Sequence, residues 1–288
     1  MSYVILDLEW NGSYSKKIHR YVNEIIEFGA VKIDDYFNIV DTFSMLIKPQ
    51  IGKKLSSHIA KLTHITNDEL FDSDNTFYSV ERKFRDFLGD SILLTWGTSD
   101  IHTLIENYKY YTGNDKLMFI SKYCDLQLYC EKALNVYNPS TQLGLQACAD
   151  MLNINSNEED LHRAYSDAEL SYECFKRLYD KTDFQKYVQN VDEEFFNKIT
   201  FKNKQLTDLN SPLIDKSQFY FNCQECGIRA EQITHFKVKN KSFTADFRCP
   251  KCRQQFKGRI TARLKYEGVT LNKRVVIPKV KEILDDDE

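Results

Sequence analysis

Asp7 and Glu9 interrupt an otherwise apolar run, Tyr3-Val4-Ile5-Leu6-Asp7-Leu8-Glu9-Trp10. On a strand, a spacing of two puts both carboxylates on one face. Like charges that close repel, and desolvated carboxylates are costly unless protonated or bound to a cation. A divalent metal resolves the conflict; the alternative is a strand that has emerged into solvent by Asp7. Asp100 follows the apolar run Ile92 to Trp96, where the next helix should begin, and also reads as an ordinary acid of a helix N-terminus. His162 and Asp167 are separated by about 140° around an α-helix, so they do not share a face, and His162 is expected on the preceding loop. A fixed Asp beside a mobile His suits a metal ligand and a proton acceptor, with a plain surface histidine as the alternative.

A second group of residues supports different chemistry. Cys223-Gln224-Glu225-Cys226 and Cys249-Pro250-Lys251-Cys252 are two Cys-x-x-Cys pairs separated by 22 residues. Four thiolates at that spacing suit one tetrahedral Zn²⁺, and Gly227 permits the tight turn behind the first pair. With four protein ligands and no open position, the zinc is expected to be structural, standing in for the core that so small a module lacks. A redox role would need one such pair in a βαβ setting. Cys124, Cys130, Cys148 and Cys174 show no ligand pattern and read as buried thiols.

The elements that must position these residues follow from periodicity. Tyr3 to Leu8, Glu24 to Ile33, Ile39 to Ile47 and Ser91 to Trp96 are strand candidates, the first three forming an antiparallel meander. Phe77, Val80, Phe84, Phe87 and Leu88 have helical spacing, which makes the fourth strand a parallel return. Further helices are expected at about 100–111, 126–134, 142–152 and 164–179, with a short strand near Met118 to Ile120. The result is an α/β fold: a mixed five-stranded sheet flanked by helices, followed by a small β-rich metal ribbon. Four segments are expected: a domain over 1–182, a helical and polar connector over 183–217, the ribbon with its basic extension over 218–282, and an acidic tail over 283–288.

The chain has 288 residues, 42% of them hydrophobic and 28% charged, enough to bury a core and inconsistent with disorder throughout. No apolar run approaches the roughly 20 residues of a membrane span, so no membrane association is expected. The first ten residues read as a strand where a secretory signal would be basic and then apolar, and the cysteine usage suits the cytoplasm. The net charge of −3 conceals two opposite halves: residues 216–282 carry 16 Lys and Arg against 5 Asp and Glu, and residues 1–215 carry 23 against 33. The basic module, with Tyr220, Phe221, Phe236, Phe243, Phe247 and Phe256 among its cations, reads as a nucleic-acid platform; the alternative makes those rings its core.

Taken together, the acidic motifs resemble the DEDDh 3′-to-5′ exonucleases, the superfamily of polymerase proofreading exonucleases, ribonuclease T and oligoribonuclease. Asp7 and Glu9 match its Asp-x-Glu motif and Asp100 its second acid. His162, Ala164, Asp167 and Ala168 match every specified position of His-x-Ala-x-x-Asp-Ala, and Glu24 to Val31 resembles the family's second strand. Thr95-Trp96-Gly97-Thr98-Ser99-Asp100 departs from the Asn-x-x-Phe-Asp form of proofreading enzymes and looks more like the branch of histone-mRNA exonucleases, which favours RNA slightly. The resemblance covers about residues 1–180 and implies an RNase H-like fold, two Mg²⁺ or Mn²⁺ ions, and hydrolysis of RNA or single-stranded DNA. It places one ion on Asp7, Glu9 and Asp167 and the second mainly on Asp7, with Asp100 nearby and His162 as general base. Leu8, Trp10 and His64 are the candidates for substrate contact, Leu8 with core packing as its alternative and His64, in the segment Leu62 to Thr66, with a structural turn as its alternative. The competing expectations are a binding protein without useful turnover and a proofreading partner of a polymerase.

Overall fold

The computed structural model describes residues 2–139, 141–155 and 162–277; the acidic tail lies outside them. The chain divides into two units, one ending at Ile199 and the other beginning at Thr200.

The first unit is built on a six-stranded sheet. Strands β1 (Tyr3–Ser15), β2 (Arg20–Ile33) and β3 (Ile39–Leu46) form the antiparallel meander. After α1 (Ser57–Thr63), α2 (Asn67–Asp72) and α3 (Phe77–Leu88), β4 (Ile92–Thr95) returns parallel to β1. Helix α4 (Ser99–Thr112) leads to β5 (Lys122–Asp125), parallel to β4, and α5 (Leu126–Ala133), α6 (Leu145–Met151) and α7 (Ala164–Leu178) follow. Helix α8 (Lys181–Phe184), the two-residue β6 (Gln189–Asn190) and α9 (Glu193–Ile199) complete the unit, and the strand order is β3-β2-β1-β4-β5-β6.

Alternation along β1 divides the core in two. Val4, Leu6 and Leu8 pack with Phe77, Val80 and Phe84 of α3 and Ile101 and Leu104 of α4. Tyr3 and Ile5 pack on the other face with Leu126 and Tyr129 of α5 and Ala168 and Phe175 of α7. The apolar contacts on this second face end where Asp7 and Glu9 begin, so the carboxylates occupy positions at which the sheet has stopped burying hydrocarbon. Helix α7 approaches β2 very closely: a Cβ on Gly29 would stand 2.0 Å from the backbone of Ala164 and Tyr165.

Several expectations require correction. The first strand runs to Ser15, because β2 continues to pair with it as far as Ser15–Arg20. The strand expected near Met118 to Ile120 lies at β5, and residues 118–120 form a turn with hydrogen bonds from Met118 N–H to Lys116 O and from Ile120 N–H to Leu117 O. The sheet gains a sixth strand from β6. The expected connector is divided between the two units: Phe195 and Phe196 of α9 are buried in the first core, while β7 (Lys204–Leu206) pairs with the second unit's sheet.

In the second unit β8 (Glu231–Gln232), β9 (Lys237–Lys239), β10 (Ser242–Arg248), β11 (Gln255–Lys265) and β12 (Gly268–Val276) join β7 in an antiparallel sheet. Its core contains Phe221, Phe243, Phe247, Phe256 and Ile260. Among the described residues no helix is long and apolar enough to cross a membrane.

The contact at Gly29 is testable. Gly29→Ala is expected to force α7 off the sheet, lowering stability in urea unfolding by at least roughly 1 to 3 kcal/mol. Unchanged stability would show that α7 can move away without cost.

Candidate active site and cysteine centre

The carboxylates of Asp7, Glu9 and Asp167 place oxygens within 4.8 Å of one another. Asp7 and Glu9 come from β1 and Asp167 from the first turn of α7, so two elements remote in sequence converge. Asp100, in the first turn of α4, is buried beside them and accepts a hydrogen bond of 3.0 Å from the Leu8 backbone N–H. That bond ties the second acid to the residue between Asp7 and Glu9. His162 lies in the turn before α7, exposed and in the left-handed region at φ 65°, and its backbone N–H donates to Asp167. It is outside the helix, as the 140° argument requires.

The electrostatics are those of carboxylates crowded away from water. Burial, then repulsion from Asp100, Asp167 and Glu9, pushes Asp7 well above the usual carboxylate range. Burial and the charges of Asp167 and Glu27 raise Glu9 to about 8, with Arg163 opposing. Asp100 rises to about 7, its desolvation outweighing the Leu8 hydrogen bond. Burial raises Asp167 as well, and nearby His162 lowers it. Hard oxygen ligands at this spacing fit a divalent cation, whose charge would remove the repulsion.

Three residues that the motif reading did not single out hold this arrangement. Glu27, 1% exposed on β2, receives Arg163 Nη2 at 2.7 Å and Nε at 3.1 Å, and also the Ala164 backbone N–H at 3.1 Å. The guanidinium fork and the helix N–H together anchor the first turn of α7 against β2. Gly29 removes the side chain that would hold the two apart. An acid within the apolar second strand was visible in the sequence; its partner Arg163, an unspecified position in the His-x-Ala motif, was not.

The candidates for substrate contact separate. Leu8 is 2% exposed and lies in the core, so only its backbone reaches the acids. Trp10 is partly buried on the same face, just after the register shift at Glu9/Trp10. His64 is exposed at the left-handed C-terminal cap of α1, outside the three-carboxylate cluster. The segment before α1 is fixed to β1 by Asn11, whose side-chain oxygen accepts from Ser56 N–H at 3.0 Å.

In the second unit the four Sγ atoms of Cys223, Cys226, Cys249 and Cys252 also lie within 4.8 Å of one another. Cys223 and Cys252 are 3.6 Å apart, far beyond a disulfide and close to the roughly 3.8 Å edge of a tetrahedral thiolate site. The two pairs build similar turns. Gly227 N–H donates to Cys223 O, and Arg253 N–H to Cys249 O. Both Gly227 and Arg253 have φ in the left-handed region, at 69° and 64°. The donor set and geometry fit a single structural metal ion. Most rings expected to stack on bases are core instead: Phe221, Phe243, Phe247 and Phe256 are buried and Phe236 is partly so. Tyr220 is 39% exposed, with Lys273 Nζ and the Arg229 guanidinium 3.8 and 4.6 Å from its ring centre.

Residues 4–175 match the RNase_T family, described as Exonuclease. The DNA polymerase III PolC-type of Staphylococcus haemolyticus is 35% identical over 118 residues, covering 41% of this chain and 7% of that protein. The human 3′-5′ exoribonuclease 1 is 31% identical over 120 residues, covering 41% of this chain and 30% of that protein. The chain therefore spans less than a third of the length of either relative. A solved structure of a 3′-exonuclease, described as 3′-end specific recognition of histone mRNA stem-loop, superposes with a TM-score of 0.54 at 21% identity, covering 67% of this chain and 71% of that one. That likeness establishes the shared fold.

The native state keeps the Glu9 proton up to about pH 8, whereas the ordinary value is 4.5. Its contribution to stability is therefore full below about 4.5 and lost as pH rises through about 8. With Mg²⁺ withheld and the cysteine-bound metal retained, the thermal midpoint should fall between about pH 5 and pH 8, and saturating Mg²⁺ should reverse the fall. A midpoint that stays flat over this range would contradict the crowding. Replacing Cys249 by Ser should release the thiolate-bound metal and abolish hydrogen-exchange protection in β10–β12 while sparing β1–β5. Retained protection would mean that the phenylalanine core suffices.

Proposed function

The chain belongs to the exonuclease family, and from that premise we propose that it removes nucleotides from the 3′ end of RNA or single-stranded DNA by hydrolysis. The convergence of Asp7, Glu9 and Asp167 within 4.8 Å, with Asp100 buried beside them, carries the reading. Two divalent ions, Mg²⁺ or Mn²⁺, fit the all-oxygen donor set, one on Asp7, Glu9 and Asp167 and the second mainly on Asp7. Bound there, they would supply an acidified water and positive charge for the developing oxyanions.

The protein's own residues do the rest. His162, on its exposed turn, accepts the proton of the attacking water. A bond forms from that water's oxygen to phosphorus as the bond from phosphorus to the penultimate nucleotide's 3′-oxygen breaks; that oxygen takes a proton from solvent, leaving a shortened strand with a 3′-hydroxyl and a free nucleoside 5′-monophosphate. Asp100 fixes the backbone between Asp7 and Glu9 through Leu8 N–H, and the Glu27–Arg163 pair holds α7 so that Asp167 meets β1. Trp10 and His64 are proposed to border the terminal nucleotide, with Leu8 contributing only backbone. Zn²⁺ on the four cysteines would keep the second unit folded, and that unit grips nucleic acid. Eight free cysteines, four of them clustered for metal, support a reducing compartment, the cytoplasm.

A proofreading role beside a polymerase is the second reading, favoured by the likeness to the PolC-type enzyme. The experiment uses RNA and DNA strands labelled at the 5′ end, incubated with wild type and variants in Mg²⁺. Wild type should produce a ladder of shortened products that keep the label, Asp7→Ala should abolish it, and His162→Ala should slow it by about 10² to 10⁴-fold. A preference for mismatched DNA ends over RNA would favour proofreading. Equal behaviour of wild type and Asp7→Ala on every strand would refute the assignment.

A further inference from the structure

The sheet of the second unit has two unlike faces. Along β11, Phe256, Gly258, Ile260 and Ala262 are buried, whereas Lys257, Arg259, Arg263 and Lys265 alternate with them and are exposed. Register extends the division across the sheet. Arg259 stands opposite Arg274 of β12 on one side and Thr244 of β10 on the other, and Thr244 stands opposite Lys237 of β9. Lys239 faces Ser242 two pairs further along β9, which returns it to the same face. Lys237, Lys239, Arg259, Arg263, Lys265 and Arg274 thus share one open face.

Two features make this more than a solvated surface. Among the described residues no ion pair engages any of these six cations; Lys257 has Asp246 at 3.5 Å, and the Arg259 Nε donates to the Ser242 hydroxyl at 3.0 Å. The direct cross-strand pairing of Arg259 with Arg274 is unfavourable in isolation, and a polyanion laid across the sheet relieves it. The second feature concerns the rings. Phe243, Phe247 and Phe256 of the same strands all point into the core, so among the described strand residues the open face carries cations, hydroxyls and the Asp246 carboxylate but no aromatic ring; Tyr266, 38% exposed and packed on Phe201, lies in the turn between β11 and β12. Bases are read by stacking or by their edges, whereas phosphates need only positive charge and hydrogen-bond donors.

We propose that this open face of the zinc-type module binds the phosphate backbone of a nucleic-acid strand, indifferent to base sequence. The inference deepens the reading that the second unit grips nucleic acid, and it replaces a mixed ring-and-charge platform with a purely electrostatic one. Joining such a face to a nuclease unit raises the local concentration of substrate without imposing a sequence preference.

The test is fluorescence anisotropy of the whole 288-residue, metal-replete chain with labelled oligo-dT and oligo-rA, in an Asp7→Asn background so that the strands stay intact. Added alone to that background, the triple variant R259Q/R263Q/R274Q should weaken both probes by roughly tenfold or more at low salt and flatten the slope of log affinity against log salt by about 2. Unchanged metal content and thermal midpoint show that the variant folds. The proposal is overturned by an unchanged salt slope, by an effect on one base composition only, or by poly-glutamate competing as well as an oligonucleotide, which would point to an acidic protein partner. Incubating the same strands with a chain that retains Asp7 distinguishes the two readings: undegraded strands that still bind in the expected manner would refute the nuclease assignment and leave this one standing.

Discussion

Repulsion among carboxylates that the fold forces together is the constraint on which the first unit depends. Asp7 and Glu9 continue a strand face that elsewhere buries hydrocarbon, Asp167 arrives on a helix, and Asp100 is buried alongside. Burial raises the proton affinity of all four. Left uncompensated, such a cluster opposes folding, and it persists because other interactions oblige it to. The Glu27–Arg163 pair and the missing side chain of Gly29 hold α7 in place, and the Leu8 N–H holds Asp100. The site is preorganised for cations in the sense that its neighbours, rather than the ligands themselves, fix where the ligands stand.

The second unit solves a different problem. A small module with a modest core gathers most of its phenylalanines inside and four thiolates in one cluster, which leaves one face of the sheet mostly to charged and hydroxyl side chains. The first unit would use cations to neutralise oxygens of the protein; the second would present the protein's own cations to oxygens of a ligand. Both assignments depend on charge that the fold leaves unneutralised, which is why metal and salt are the natural variables for studying this chain.

Much of this was legible in the sequence because the chemistry is carried by short motifs. The spacing of Asp7 and Glu9, the offset of His162 from Asp167 and the doubled Cys-x-x-Cys each constrain geometry locally. The alternation and periodicity of the apolar residues gave the sheet and most helices. Long-range partnership was less legible. Nothing in the pattern of residues 9–23 showed that β2 would extend β1 to Ser15, because Asn11, Ser13 and Ser15 are polar residues buried by that pairing and by the segment before α1. Phe195 and Phe196 sit in a charged stretch that looked like a connector, and only the structure shows them entering the core. The rings of the ribbon were visible, but which side of the sheet each faced was set by strand register, and register turned most of a presumed stacking surface into interior.

The most direct measurement of the central claim is calorimetric titration of Mn²⁺ into the zinc-loaded chain at neutral pH in two buffers of different ionisation enthalpy. The account predicts saturable binding of two ions with release of protons, since Glu9 and Asp100, raised to about 8 and about 7, are partly protonated before the metal arrives. Asp7→Asn should remove that binding. Mn²⁺ uptake that is absent, proceeds without proton release, or is the same in Asp7→Asn would contradict it.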